Sequence, residues 1–450
     1  MNITTQNPRS AVRRIATGRL ISVTGGAAAY TALGFTIWET THSPWMQSLS
    51  LLLTFGVAGL LGPFAGALGD RFDRRRVMVI SELVAAGFFG GMALAGDPGV
   101  LIALAFGSAL AELPFFSASR AAIPTLLGDD EHLSWANSLV TVGVHSGIAV
   151  GPVIGGVLLS VFGDPSWVFG INAVSFLVSV LITLTVRGRF QDERKAEAGD
   201  EHAGISAGVK FLLRDSVLRR LSLAWLVFVL GMGMGMVADA PLAEEFGAGE
   251  LGFGLLIACW GLGSVLGSAA GRWMTPKNEP MWLVGGAFGI AIAAFGVGVA
   301  PAFVLVLFAL LVMGTSDGLT IVAENGIMQR RTPDAVRSRT MAAFEAVISL
   351  GLAISYIVAG PMLHAVGPQG TYLIGGIAAL AAAIMLAPLR RLRQTGEPDE
   401  VSPPAAPGAA VLGEPAAPPL VSEPFPARPV VEPRVSESLV ASPETPEAER

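Results

Sequence analysis

The chain has 450 residues, 52% hydrophobic and only 14% charged, against about a quarter charged in an ordinary soluble domain. That balance excludes a soluble globular protein, and a formal charge of −6, carried by an acidic tail, offers no nucleic-acid partner. A single cysteine, Cys259, lies inside an apolar run and rules out an internal disulfide framework or a thiolate metal site.

Residues 1–15 hold Arg9, Arg13 and Arg14, and Arg19 follows at the start of the first apolar stretch. No small-residue cleavage site follows a short apolar core, so the first helix is read as retained. A membrane span takes about 20 mostly apolar residues. Stretches of this kind run over 16–38, 46–68, 77–96, 99–118, 137–158, 166–186, 221–241, 251–270, 281–299, 302–325, 342–360 and 370–389. With the N-terminus cytoplasmic, the outward loops near 39–45, 97–98, 159–165, 242–250, 300–301 and 361–369 contain no Lys or Arg, and all 29 basic residues fall on the inner side. One span more or fewer would reverse every later loop, so count and orientation support each other. The sequence thus predicts an all-α, multi-pass protein of the cell (inner or plasma) membrane, with twelve spans and both termini cytoplasmic. Its six-helix bundles cover 16–186 and 221–389, joined by a cytoplasmic linker over 187–220. Residues 390–450 are Pro-, Ala- and Glu-rich without helical period, and are expected to be a disordered cytoplasmic tail.

Taken in order, the spans carry several motifs. The second ends in Gly62-Pro-Phe-Ala-Gly66-Ala-Leu-Gly-Asp70-Arg71-Phe-Asp-Arg74-Arg75-Arg76. Gly62 and Gly66 share a face one turn apart, which lets a neighbouring backbone come close in lipid. The fifth holds Gly147, Gly151, Pro152, Gly155 and Gly156. Its glycines line a face, and Pro152 removes a backbone hydrogen bond and bends the helix; a kink used only for packing is the alternative. His145 beside that face is a packed or water-facing histidine, or less simply a proton relay. In the linker, Val209, Phe211, Leu212, Leu213, Val217 and Leu218 among basic residues are expected to form an amphipathic helix on the membrane surface, with a solvated linker as the alternative. Met232, Met234 and Met236 alternate in the seventh span and suit a binding surface for varied shapes, with Tyr30, Phe35 and Trp38 as aromatic contacts, but that spacing cannot keep all three on one helical face, so packing is the simpler reading. Shifting the chain by 201 residues lays Gly62, Gly66 and Arg71 on Gly263, Gly267 and Arg272, with Gly271 in the place of Asp70. The eighth span thus repeats the glycine spacing, and the fifth and eighth are expected to touch across the bundles.

Carboxylates inside spans cost about 2.5–3.5 kcal/mol on insertion scales and need a partner, a wet cavity or a proton. Glu112, Asp317, Asp239 and Glu39 are the candidates for binding a proton or a cationic substrate, each also readable as a hydrogen-bonded structural acid. Glu82, Glu324 and Glu345 fall near the inner surface, where pairing with arginine is the simpler role. No phosphate-binding loop, nucleophile elbow or metal-spaced histidine pair is present, so no enzyme activity and no cofactor are expected.

Gly66, Asp70, Arg71, Arg74 and Arg75 fit a pattern of Gly, three residues, Asp, Arg or Lys, one residue, Gly and two basic residues, with Asp73 in place of the second glycine. This resembles the loop between helices 2 and 3 of the major facilitator superfamily. The fifth-span glycines with Pro152 resemble the motif of that family's exporters, which is associated with antiport, with Ser138 where the family has an earlier glycine. Trp135-Ala-Asn137-Ser138-Leu139, Ile205-Ser-Ala-Gly-Val-Lys-Phe-Leu and Gln329-Arg-Arg-Thr-Pro333 with Arg337-Ser-Arg339 resemble the drug and secretion permease branch that includes macrolide and enterobactin exporters. The resemblance covers roughly 12–392. It implies two rocking six-helix halves, a central cavity lined by helices 1, 4, 7 and 10, a cytoplasmic latch at Asp70 and Arg71, and export of amphiphilic drug-, antibiotic- or siderophore-like molecules driven by protons. The partners expected are a small-molecule substrate, protons and the bilayer, in a monomer. A nutrient facilitator or importer is the transport alternative, and a membrane sensor or scaffold using the tail as output is the third.

Overall fold

The structure is a computed structural model that describes residues 7–61, 72–127, 133–188, 190, 201–333 and 336–391. Every regular element among them is helical. Several helices begin where the sequence supplies both a cap and a proline. The Asn7 side chain accepts the Arg9 N–H at 3.0 Å to start α1, Pro8–Thr41, and Ser43 accepts the Met46 N–H at 3.4 Å to start α2, Pro44–Leu51. Proline suits the first turn because its missing donor would have no helical partner there. The path of α2 continues through a π turn, Leu52–Val57. Asp73 accepts the Arg76 N–H at 2.9 Å and caps α3, Arg74–Met92, so the residue that replaces the pattern's second glycine serves as a helix cap. Next come α4, Pro98–Leu127, with Pro114 and Pro124 inside it, and α5, Leu133–Phe162, with Pro152 inside it. Asp164 caps α6, Pro165–Thr185; the Ser166 N–H, 2.8 Å from its carboxylate, holds that carboxyl below the usual range.

A linker helix, Glu201–Arg214, leads to α7, Ser216–Glu245, α8, Gly249–Ala270, α9, Glu279–Gly298, and α10, Phe303–Arg331. The final helical stretch, Arg337–Leu386, breaks at Gly367, whose φ of 73° favours glycine, and Pro368 follows. It is treated as α11 (337–366) and α12 (368–386). Among the described residues, ten helices are long and apolar enough to cross a membrane when this stretch counts as one. α3 is not among them, since it opens on three arginines and carries Glu82.

α1 lies on α5 and α6, and α3 on α4 and α6. α8 and α9 both pack on α10, and α7 packs on α11 and α12 through Gly233 against Ser355 and Gly231 against Gly375. Among the contacts that join earlier helices to later ones, α5 on α8 and α2 on α11 both run on glycine. A Cβ added at Gly156 would stand 2.9 Å from the Glu250 carbonyl oxygen and 3.4 Å from Gly254 Cα; one at Gly254 would stand 2.6 Å from the Pro152 oxygen. At Gly261 it would stand 3.2 Å from Ala149 Cα, and at Gly56 3.1 Å from Ala353 Cα. In lipid, where burial of apolar surface drives no association between helices, such backbone proximity supplies the packing.

Two expectations need correction. The Gly263, Gly267 and Gly271 stripe does not serve the α5 contact: added Cβ atoms there would meet Leu311, Thr315 and Val322 of α10. Gly254 and Gly261 are seven residues apart and share the α5 face, whereas Gly263 lies about 200° further round the helix. The linker's amphipathic segment also divides. Its helix ends at Arg214, and Val217 and Leu218 are buried in the first turn of α7. Gly208 of the linker helix packs against Arg339 and Thr340 at the start of α11.

Asp215 makes the division. Its carboxylate accepts the Val217 and Leu218 N–H groups at 2.8 and 2.9 Å and pairs with Arg331 of α10 at 3.1 Å. Asp215→Ala is expected to cost about 1–2 kcal/mol of stability, read as a lower Tm of the purified protein, and Asp215→Asn, which keeps an acceptor for the cap, less.

Candidate functional site

The helices place the four predicted carboxylates in four different settings. Glu112, midway along α4, is reached from α1: Tyr30 Oη donates to its Oε1 at 3.2 Å and shares a hydrogen bond with Ser108 Oγ at 3.0 Å. The Tyr30 ring is held against Phe55 and edge-on to Phe89, at centroid distances of 5.6 and 5.8 Å, so its hydroxyl is aimed by packing. Asp317 is buried in α10 without a hydrogen bond among the described residues, and Glu324, two turns on, is also buried. α4 and α10 are not packed on each other. Asp239 of α7 accepts a hydrogen bond from Tyr372 Oη of α12, and Tyr356 of α11 donates beside it to Met236 Sδ at 3.3 Å. Glu39 is exposed in the last turn of α1. No hydrogen bond or ion pair joins any two of the four among the described residues.

One end of α1 is tied to α7. Trp38 Nε1 donates to the Glu244 carboxylate, His42 Nδ1 lies 3.7 Å from the same group, and Phe35 sits 6.3 Å from Phe253 of α8.

The exporter-like glycines serve two faces. Gly147, Gly151 and Gly155 press on α1, where a Cβ at Gly151 would stand 2.6 Å from the Thr24 oxygen and one at Gly155 would strike the Ala28 backbone. Pro152 and Gly156, a turn fraction round, press on α8. His145 lies on α5, but its side chain falls outside the described residues. Of the loop motif, Gly62, Gly66, Asp70 and Arg71 also fall outside them. Arg74 donates to the Ala121 oxygen at 2.9 Å and Arg75 to the Leu184 oxygen at 2.6 Å, so both bind the first turn of α3 to the ends of α4 and α6. Met234 is buried, Met232 half-buried and Met236 exposed, as their alternation predicts.

Sequence reasoning passes over Arg19 and gives Glu82 no named partner. Arg19 stands among the N-terminal basic residues, yet it is 4% exposed within α1; Glu82, expected toward the inner membrane surface, is 1% exposed and takes a hydrogen bond from Ser179. The signal was available in the span limits, which put both charges inside apolar stretches.

A sequence profile described as Major Facilitator Superfamily matches residues 15–355 and 234–431. The enterobactin exporter EntS of Escherichia coli O1:K1 / APEC is 26% identical over 409 residues, covering 88% of this chain and 96% of that protein. Among solved structures, the nucleoside transporter NupG superposes with a TM-score of 0.66 at 14% identity, over 85% of this chain and all of that one. A bacterial homologue of the human lysosomal transporter Spinster, inward-facing and unoccupied, gives 0.64 at 16% identity over 85% and 95%.

Proposed function

The chain belongs to the major facilitator superfamily, hence is a multi-pass membrane transporter and not an enzyme, and from that premise we propose that it exports siderophore-like or other amphiphilic small molecules in exchange for protons. In this reading twelve crossings form two six-helix bundles, α1–α6 and α7–α12, with both termini cytoplasmic and the linker helix between them. The observation that carries it is the α5 glycine and proline motif, which supports close backbone contact with α1 on one face and with α8 of the other bundle on the next. A joint of that kind moves with little side-chain rearrangement. The Trp38–Glu244 contact joins α1 to α7; with α1 oriented as the basic residues require, that contact lies on the outer side in this reading. Glu112 and Asp317 then serve as the proton or cation sites, with Asp239 held by Tyr372 as an accessory group. Export, and not uptake, is favoured by the motif and by the likeness to the enterobactin exporter EntS.

Everted vesicles energised with lactate test this. Adding a catecholate siderophore or a lipophilic cationic dye is expected to release protons from vesicles holding the full-length protein and not from empty-vector vesicles. Accumulation of the compound without proton movement would reject exchange, and proton movement in the opposite sense would indicate uptake.

A further inference from the structure

Behind the Tyr30–Glu112 contact lies a second carboxyl group that no motif marks. Glu82 receives Ser179 Oγ on Oε1, while its buried Oε2 has no hydrogen-bond partner. Arg19 Nη1 donates to Ser119 Oγ at 3.3 Å, and its guanidinium lies 5.2 Å over the Phe116 ring; its buried Nε is likewise unpartnered. Beside Glu82, and lined also by Glu112, is a cavity of about 10 Å³, the least space that admits one water. Ser22, Ser81, Glu82 and Glu112 bring polar groups to it, and Val23, Phe115, Phe116 and Phe176 make most of its surface apolar.

The charges facing Glu82 are few. Arg19 approaches from α1, Glu112 from α4, and Arg120 of α4 acts on Arg19; α6 has no ionisable side chain between Pro165 and Thr185. Glu82 and Glu112 at the pocket, with the Arg19 guanidinium near enough to act on Glu82, carry a net charge of −1 when all are ionised, in surroundings where an uncompensated charge is costly. One added proton makes the set neutral.

We propose that Glu82, Glu112 and Arg19 form a proton-binding site inside the first six helices, in which one water bridges the two carboxyl groups and a single proton is shared between them. A proton passes from the Glu82 carboxyl to the water oxygen as the water passes one of its own hydrogens to a Glu112 carboxylate oxygen. The water is regenerated, and the negative charge moves from Glu112 to Glu82. Glu82 is eight residues from the arginine-bearing start of α3 and Glu112 is near the middle of α4, so the pair makes a route from that end of the bundle to Tyr30 and Ser108. This deepens the proton-exchange reading above and is tested at equilibrium, apart from transport.

Infrared difference spectra between acid and alkaline pH, taken on the full-length protein in lipid nanodiscs, report protonated carboxyl groups. Glu82→Gln and Glu112→Gln are each expected to alter the same carboxyl band, with the double variant changing no more than either single one. Ser179→Ala keeps both acids, removes one donor, and is expected to shift that band. Two bands lost independently, with the double variant equal to their sum, overturn the site. If Glu82→Gln does not fold, Ser179→Ala and Glu82→Asp decide, and a band unmoved in both overturns it equally. Proton-driven export with additive bands rejects the shared site alone; export without proton flux beside a shared band rejects the exchange reading and leaves the site.

Discussion

Oxidising a protein that carries Ala149→Cys and Gly261→Cys in a Cys259→Ala background is expected to join α5 to α8 and stop efflux, with reduction restoring it. A Cβ at Gly261 would stand 3.5 Å from Ala149 Cβ, inside the range of about 3.5–4.5 Å that a disulfide needs. The two helices belong to different proposed bundles, so the bond should hold one arrangement of an alternating pair. Gly156→Leu tests the same joint from the other direction. Forcing a side chain into contact with Glu250 and Gly254 costs about 1–3 kcal/mol, which lowers the population of the closed joint by about 5- to 150-fold. Export measured in cells should fall by a comparable factor, while membrane insertion and monodispersity stay unchanged. A pair that never crosslinks, or a leucine variant that exports normally, would remove this joint from the mechanism. Gly267→Leu is the contrasting case: it strikes α10, a neighbour within the same proposed bundle, and should lower stability before it alters any cycle.

The second large effect is expected at the buried acids. Glu112→Gln and Asp317→Asn should each abolish concentration of substrate against its gradient, leaving an inside-to-outside ratio near one in reconstituted vesicles with an imposed pH difference. Both replacements preserve volume, so a loss points to the titrating group and not to packing. Tyr30→Phe keeps the carboxyl and removes its donor, worth about 1 kcal/mol, and should slow exchange by about fivefold. Glu39→Gln is expected to leave exchange unchanged, because that side chain is exposed at the end of α1. Uphill transport that survives neutralisation of both Glu112 and Asp317 would place proton coupling elsewhere.

Much of the architecture was legible because bilayer depth imposes length. The predicted 166–186, 251–270 and 281–299 agree with α6, α8 and α9 to within two residues, since Pro, Gly or a polar cap stands at each end. The fourth and tenth helices run well past their predicted cytoplasmic ends, to Leu127 and Arg331, because a helix continues beyond the apolar zone while polar residues still satisfy its backbone. Glycine spacing was legible as a pattern but not as a direction. A four-residue repeat says that a face is bare, and only the rotation of the helix decides that Gly263 meets α10 while Gly261 meets α5. The partners of the acids were the least legible part. Tyr30 is 82 residues from Glu112 and Tyr372 is 133 from Asp239, and no local periodicity links such pairs. Arg19 was hidden by its neighbours, three arginines that sit at or beyond the membrane edge.

The joint made by Gly156, Gly254, Gly261 and Ala149 also bears on heat. Glycine and alanine have essentially no rotamers to lose on burial, whereas each leucine forfeits about 0.5–1 kcal/mol of side-chain entropy at room temperature. Opening and closing across such a surface therefore carries a small conformational-entropy term, and the balance between the two arrangements should drift only weakly between cold and warm membranes.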